Sequence, residues 1–230
     1  MHHITIAIDG FSSTGKSTVA KQLADYLDYL FVDTGAMYRA VTLYGLQQGF
    51  ITEDQVQEAP LIAALPKIEL SFVKNAEGKR DIYLNGVNVE QEIRTLAVSE
   101  YVSPVAAISE VRKKLVEQQR KMGVGQGIVM DGRDIGTVVF PNADLKIFMT
   151  ASPEIRARRR FDELTKRGDQ ISYEEVLENV TERDFIDSTR EDSPLTQAED
   201  AIVIDNSETN VEDQFHMVLQ LAKDRIAGRI

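Results

Sequence analysis

Short apolar runs recur along the chain, each ending at or near Asp, Thr or Gly: Ile4–Ile8, Leu30–Val32, Ile128–Met130, Leu145–Met149 and Ala201–Ile204. Runs rich in Val and Ile and apolar at successive positions suit strands buried on both faces of a parallel sheet. The stretches between them carry apolar residues at helical spacing. Lys16 to Leu27 places Val19, Ala20, Leu23 and Leu27 on one face, and Val105 to Met122 does the same with Ile108, Val111, Leu115 and Met122. Tyr173 to Phe185 and Val211 to Ile226 behave similarly. Strands alternating with helices predict an open α/β sheet covered on both faces.

One region breaks that rhythm. From Lys67 to Val89 the pattern alternates, with Ile68, Leu70 and Phe72 on one side and the turn-like Asn75-Ala76-Glu77-Gly78 after them. Ile82 and Leu84 resume the alternation, and Asn85-Gly86 predicts a hairpin turn before Val87 and Val89. This reads as a small antiparallel β insertion between two halves of the α/β core.

Composition narrows the class. The chain has 230 residues, and its 26 basic against 37 acidic side chains leave a formal charge of −11. So acidic a protein is poorly suited to diffuse attraction to nucleic acid or an anionic membrane. No cysteine is present, which excludes disulfides, thiolate metal sites and thiol nucleophiles. The three histidines, His2, His3 and His216, have no metal-ligand spacing. No secretory signal or membrane span is evident, so a cytoplasmic location is expected.

The motif that decides the chemistry is Gly10-Phe11-Ser12-Ser13-Thr14-Gly15-Lys16-Ser17, which matches G-x-x-x-x-G-K-[ST]. It follows a predicted strand and opens a predicted helix, the context a phosphate-binding loop requires. Its glycines let the backbone curl so that amides face phosphate oxygens, and the helix start adds positive dipole. Gly10, Phe11, Ser12, Ser13, Thr14, Gly15, Lys16, Ser17 and Thr18 are therefore expected to hold ATP. Lys16 would reach the β- and γ-phosphates and Ser17 would ligate Mg²⁺. No Asn-Lys-x-Asp guanine reader is present, which argues against a GTPase switch.

Arginines punctuate the rest. Arg39 follows Asp33-Thr34-Gly35, and Arg133 lies in Asp131-Gly132-Arg133-Asp134 at the end of the third predicted strand. Ligands collect at that edge of open α/β sheets; Asp131 could hold Mg²⁺ waters there and Arg133 clamp a phosphate. Residues 156–167 carry six basic and two acidic side chains, a local +4, which reads either as a solvated helix face or as a lid closing over triphosphate. Arg183 and Arg190, seven apart, would share a face of a continuing helix.

Taken together, the phosphate loop, Asp33-Thr34-Gly35-Ala36-Met37-Tyr38-Arg39, Glu92-Ile93-Arg94-Thr95, Asp131–Pro141 and Glu182-Arg183-Asp184 resemble the bacterial cytidylate kinases nearly end to end. The most specific block is Asp131-Gly132-Arg133-Asp134-Ile135-Gly136-Thr137-Val138-Val139-Phe140-Pro141. The resemblance implies a P-loop three-layer α/β/α fold with a parallel five-stranded sheet, an antiparallel β insertion and an arginine-rich lid. Within one domain over 1–230, it implies a core of 1–33, 101–155 and 171–230. A monophosphate-binding region would cover 34–100, with the insertion about 67–95, and a lid 156–170.

The implied reaction is Mg²⁺-dependent transfer of the ATP γ-phosphoryl group to CMP or dCMP; separately, a monomer is expected. By the same resemblance, Thr34, Arg39 and Arg133 would hold the acceptor phosphate. Ser103, Arg112 and Asp134 would read the cytosine edge, and Asp187 with Arg190 would hold the ribose. Arg156, Arg160 and Arg183 would act on the ATP phosphates or the transferring group. Lys16, Arg133 and Arg183 would be catalytic in an electrostatic sense, with Asp131 a Mg²⁺ partner through water. A carboxylate such as Asp134 accepts from the amino group of cytosine and repels the carbonyl of uracil, so the assignment has a physical basis. The alternatives are another small P-loop kinase, acting on UMP, AMP or shikimate, and a non-catalytic ATP-sensing module, which would leave Arg39 and Arg112 unexplained.

Overall fold

The computed structural model describes residues 3–53 and 55–229, so His2 lies outside it. The chain divides into two compact units, residues 1–33 with 120–230, and residues 34–119.

The larger unit is built on five parallel strands in the order β2-β6-β1-β7-β8. They are β1 (Thr5–Gly10), β2 (Leu30–Asp33), β6 (Ile128–Gly132), β7 (Leu145–Thr150) and β8 (Ile202–Asp205). Each of the five predicted apolar runs forms one of them, and each strand continues one or two residues past its run into Asp, Gly or Thr. Side chains of the central strand β1 are buried on both faces, as continuous apolar runs require. On one face, Ile6 and Ile8 of β1 pack with Leu145, Ile147 and Met149 of β7 against α1 (Lys16–Leu27) and α8 (Val211–Ile226). Val19, Leu23, Val218 and Leu219 supply the helical side. The other face of β1 carries Asp9, over which lies a π-helical turn, Ile135–Val139. The unit also contains α6 (Pro153–Arg167) and α7 (Tyr173–Thr189), which pack on each other. Ser152 caps α6, and Ser172 with Glu175 forms a capping box on α7.

The smaller unit carries the predicted insertion as a three-stranded antiparallel sheet of β3 (Leu70–Lys74), β4 (Arg80–Leu84) and β5 (Val87–Asn88). Asn85 and Gly86 both take positive φ, 50° and 80°, the geometry of a two-residue hairpin turn. The sheet packs against α2 (Thr34–Gln47), which also meets α4 (Leu96–Ala107). The short α3 (Glu58–Ala64) completes the unit with most of α5 (Ser109–Met122).

The helix expected over Val105 to Met122 is two helices. Ile108 breaks it with an extended backbone, φ −71° and ψ 117°, and closes α4 through an amide bond to the Val105 carbonyl. Val105, Ile108 and Val111 keep one apolar phase across the break, so periodicity alone does not reveal it. The Arg112 guanidinium then donates to the Ala106 carbonyl at 3.0 Å. Among the described residues no helix is long and apolar enough to cross a membrane.

Close strand packing fixes one residue absolutely. Gly10 ends β1 at φ 146°, and a Cβ there would sit 2.0 Å from the Met149 carbonyl oxygen. Gly10→Ala is expected to cost more than about 3 kcal/mol, from backbone strain and an overlap with backbone that cannot move aside. Urea denaturation measures it.

Candidate active site

The phosphate loop joins β1 to α1 at the carboxyl end of the central strand. Ser13 and Gly15 have positive φ, 57° and 84°, and Gly15 is the N-cap of α1. Lys16 folds back so that its ammonium donates to the Phe11 carbonyl at 3.0 Å, and the Thr14 hydroxyl donates to the same oxygen at 3.1 Å. Lys16 is buried. Burial, with Arg133 adding to it and Asp131 opposing, lowers its pKa to about 7. A buried ammonium so destabilised is a strong receptor for anionic charge.

The Ser17 hydroxyl donates to the buried Asp131 carboxylate at 2.5 Å. A hydroxyl and one carboxylate side by side, both oxygen donors, fit Mg²⁺, which keeps several waters and takes few protein ligands. No group of three or more His, Cys, Asp or Glu that could hold a metal occurs among the described residues. The oxygen pair could hold such an ion only if phosphate and water completed its shell.

A second knot of charge lies in the same unit. Arg133 donates from Nε to Asp187 at 2.9 Å, and Arg190 lies 3.7 Å from the other oxygen of that carboxylate. Burial alone would raise the Asp187 pKa, but Arg133, Arg183 and Arg190 outweigh it and hold it below 3.8. Arg133 moves the opposite way: Asp187 raises its pKa against the effect of burial. Arg190 also donates to the Ser193 carbonyl, at 2.9 and 2.7 Å. It is the residue after the end of α7, not part of the helix, so its relation to Arg183 is set by the cap and not by helical spacing. Lys16, Asp131, Arg133, Arg183, Asp187 and Arg190 are thereby one electrostatic ensemble. Asp134, next to Arg133, is buried.

The arginine-rich stretch expected as a lid is a regular helix, α6, and a lid is not displayed. Arg156 is buried and spends its guanidinium on protein. It makes a bidentate pair with Asp184 at 2.9 and 2.5 Å and donates to the Ala151 carbonyl at 2.9 Å and to the Ser12 carbonyl at 3.4 Å. It also lies 5.0 Å over the Phe11 ring. Arg160 pairs with Glu163 at 2.9 Å. Arg159, to which the sequence assigned nothing, bonds the side chain and backbone of Asn206 at 3.0 and 2.8 Å. Fully buried Asn206 in turn donates to the Thr14 carbonyl at 2.5 Å and to Gln214 at 2.9 Å. A single Asn after a short strand carries no motif, which is why it escaped notice.

The other expected residues belong to the smaller unit. Thr34 opens α2 and is buried, and Arg39 lies in the second turn of the same helix. Ser103 on α4 and Arg112 on α5 are buried, the guanidinium 5.5 Å from the Tyr38 ring. His3 and His216 are exposed.

The sequence model of one protein family, cytidylate kinase, matches residues 6–224. The chain belongs to the cytidylate kinase family. Curated cytidylate kinases agree over nearly full length. That of Flavobacterium johnsoniae is 64% identical over 225 residues, covering 97% of this chain and 98% of the relative. That of Phocaeicola vulgatus is 59% identical over 229 residues, covering 99% and 100%. An uncharacterised protein of Eubacterium ventriosum, solved by crystallography, shares the fold at 12% identity, with a TM-score of 0.51 over 97% of this chain and 99% of its own. As a member of the cytidylate kinase family the protein is a phosphotransferase, and the P-loop α/β architecture is the one the resemblance implied.

Asp187 ties the arginine ensemble together, and its lowered pKa fixes the sign of the pH effect. The stability it contributes is fully present above 3.8 and is lost as pH falls through its native value. Asp187→Asn is expected to cost about 3 kcal/mol at pH 7, by leaving buried arginines without their carboxylate. The difference from wild type should shrink as pH drops below 3.8, as read from urea midpoints across the acid range.

Proposed function

We propose that the protein transfers the γ-phosphoryl group of ATP to CMP or dCMP, yielding ADP with CDP or dCDP. The observation that carries this reading is the buried Lys16 ammonium at the end of the central strand, set among Asp131, Arg133 and Arg183. An acceptor phosphate oxygen attacks the γ-phosphorus, the bond to the β-phosphate bridging oxygen breaks, and that oxygen leaves on ADP. Little covalent work falls to the protein; alignment and stabilisation of spread negative charge dominate.

In this reading the Gly10–Thr18 loop cradles the donor, and Lys16 binds its β- and γ-phosphates, regaining full protonation as it does so. Ser17 directly and Asp131 through water would hold Mg²⁺, which would screen phosphate charge. Arg133 and Arg183 stabilise the charge on the transferring group. Arg156 serves the donor from behind, bracing Phe11 and Ser12. Arg160 reaches phosphate by giving up Glu163. For the acceptor, Thr34, Arg39 and Arg133 take the phosphate and Asp187 and Arg190 the ribose. Ser103, Arg112 and Asp134 take the base. A carboxylate at Asp134 accepts from the cytosine amino group, and uracil would leave it facing a carbonyl.

A coupled assay of ADP release over CMP, dCMP, UMP and AMP tests the reading. CMP and dCMP should be turned over fastest; faster turnover of UMP or AMP would reject the cytosine assignment. ATP binding without acceptor-dependent ADP release would mark a sensing module. Lys16→Ala should lower kcat at least about 100-fold, as loss of a charge aimed at the transition state does. Its folded stability at pH 7 should equal or exceed that of wild type, because a destabilised buried ammonium is removed. Asp134→Asn should narrow the preference for CMP over UMP while leaving the KM for ATP unchanged.

A further inference from the structure

The residue immediately before the phosphate loop, Asp9, is buried at the end of β1 and makes no part of the chemistry described so far. Its two carboxylate oxygens are used separately. Oδ1 accepts the amide of Ile135 at 2.8 Å, and Oδ2 accepts the amide of Gly136 at 2.7 Å. These amides open the π-helical turn Ile135–Val139 and have no partner within it, since the first amides of any helical turn are left over. The Val138 and Val139 amides bond back to the Asp134 carbonyl, so the turn starts at Asp134, whose own backbone is not helical at φ −143° and ψ 26°. Asp9 therefore grips the chain one and two residues beyond Asp134, while Asp187 grips it at Arg133.

We propose that Asp9 is a positioning residue for the Arg133–Asp134 segment, fixing the nucleotide-reading loop to the strand that delivers the phosphate loop. Three further observations support it. Gly136 permits the approach: a Cβ there would lie 3.3 Å from Asp9 Oδ2 and 3.1 Å from Lys146 Cδ. Burial raises the Asp9 carboxyl to about 6, and neighbouring Asp134 raises it too, against both amide bonds and Lys16. An apolar side chain in this position would avoid that cost, yet no apolar side chain accepts two amides. Finally, Asp9 aligns with Gly132 in the pairing of β1 with β6, so its carboxylate spans the short gap from the strand end to the turn without reaching past a neighbour.

The inference rests on the assignment of Arg133 and Asp134 to CMP, and its test separates the two. Asp9→Asn keeps the shape but turns one acceptor into a donor facing an amide. It is expected to raise the KM for CMP about tenfold and to narrow the CMP-over-UMP preference, as displacement of a substrate-positioning group does. The KM for ATP should stay within about twofold of wild type. Equal rises in both KM values would point to general loosening and overturn the proposal; so would an unchanged CMP KM in folded Asp9→Asn. Arg133→Ala is measured alongside. If it leaves the CMP KM unchanged, the assignment beneath has failed and the proposal falls with it. A CMP effect from Arg133→Ala with none from Asp9→Asn overturns the tether alone. Hydrogen exchange on the wild-type protein gives a readout independent of any variant's folding. The Ile135 and Gly136 amides should exchange slowly, and exchange at the rate of an open loop would overturn the proposal.

Discussion

Like charges must be held together in this protein, and that requirement organises the larger unit. Lys16, Arg133 and Arg183 lie close enough, with Lys16 and Arg133 stripped of the water that would screen them, that the two guanidiniums weaken the Lys16 ammonium. Asp131 and Asp187 are placed among them in a low-accessibility setting, and both carboxylates come from positions the sheet and α7 define rigidly. Removing the carboxylates would leave the cations repelling one another, whereas removing the cations would leave nothing here to attract phosphate in the proposed reaction. The net charge of −11 thus describes the chain as a whole and not this part of it, where cations are gathered and opposed only as far as folding demands.

A phosphate loop works by the direction of its amides, and direction depends on what holds the carbonyls. Here the Ser12 carbonyl is engaged by Arg156 and the Thr14 carbonyl by Asn206, while the Phe11 carbonyl takes Lys16 and Thr14. With the carbonyls occupied from the protein side, the peptide planes are turned so that amides remain for a ligand. The bidentate pair of Arg156 with Asp184 extends this bracing to α7, whose next turn carries Asp187. The chain segments that contact donor and acceptor in the proposed reaction are in this way linked by two ion pairs on one helix.

Much of this was legible in the sequence, and the reasons differ by feature. The five strands could be read because each is a short, mostly apolar run. Strands β1, β6 and β7 are buried on both faces, while Val203 of the edge strand β8 is exposed and its run still shows. The hairpin could be read because Asn85-Gly86 is one of few dipeptides comfortable at two positive φ angles. The phosphate loop showed itself through spacing imposed by phosphate geometry. What stayed hidden were features without periodicity or motif. The break at Ile108 preserves apolar phase. Arg156 and Arg159 look like any exposed helical arginines until the fold turns them toward Asp184 and Asn206. Asn206 and Asp9 are single residues, each with a partner more than a hundred positions away in sequence, and no local pattern encodes such pairs.

The adjacency of Asp9 and Gly10 has a mechanical meaning. One residue fastens the turn beyond Arg133–Asp134, and the next begins the phosphate loop, so both loops are hung from a single point on the central strand of the sheet. A thermal displacement of β1 carries the two together and leaves the spacing between them nearly unchanged. Alignment in phosphoryl transfer is a matter of relative distance, and sharing one anchor removes much of the sheet's motion from that distance before any ligand arrives.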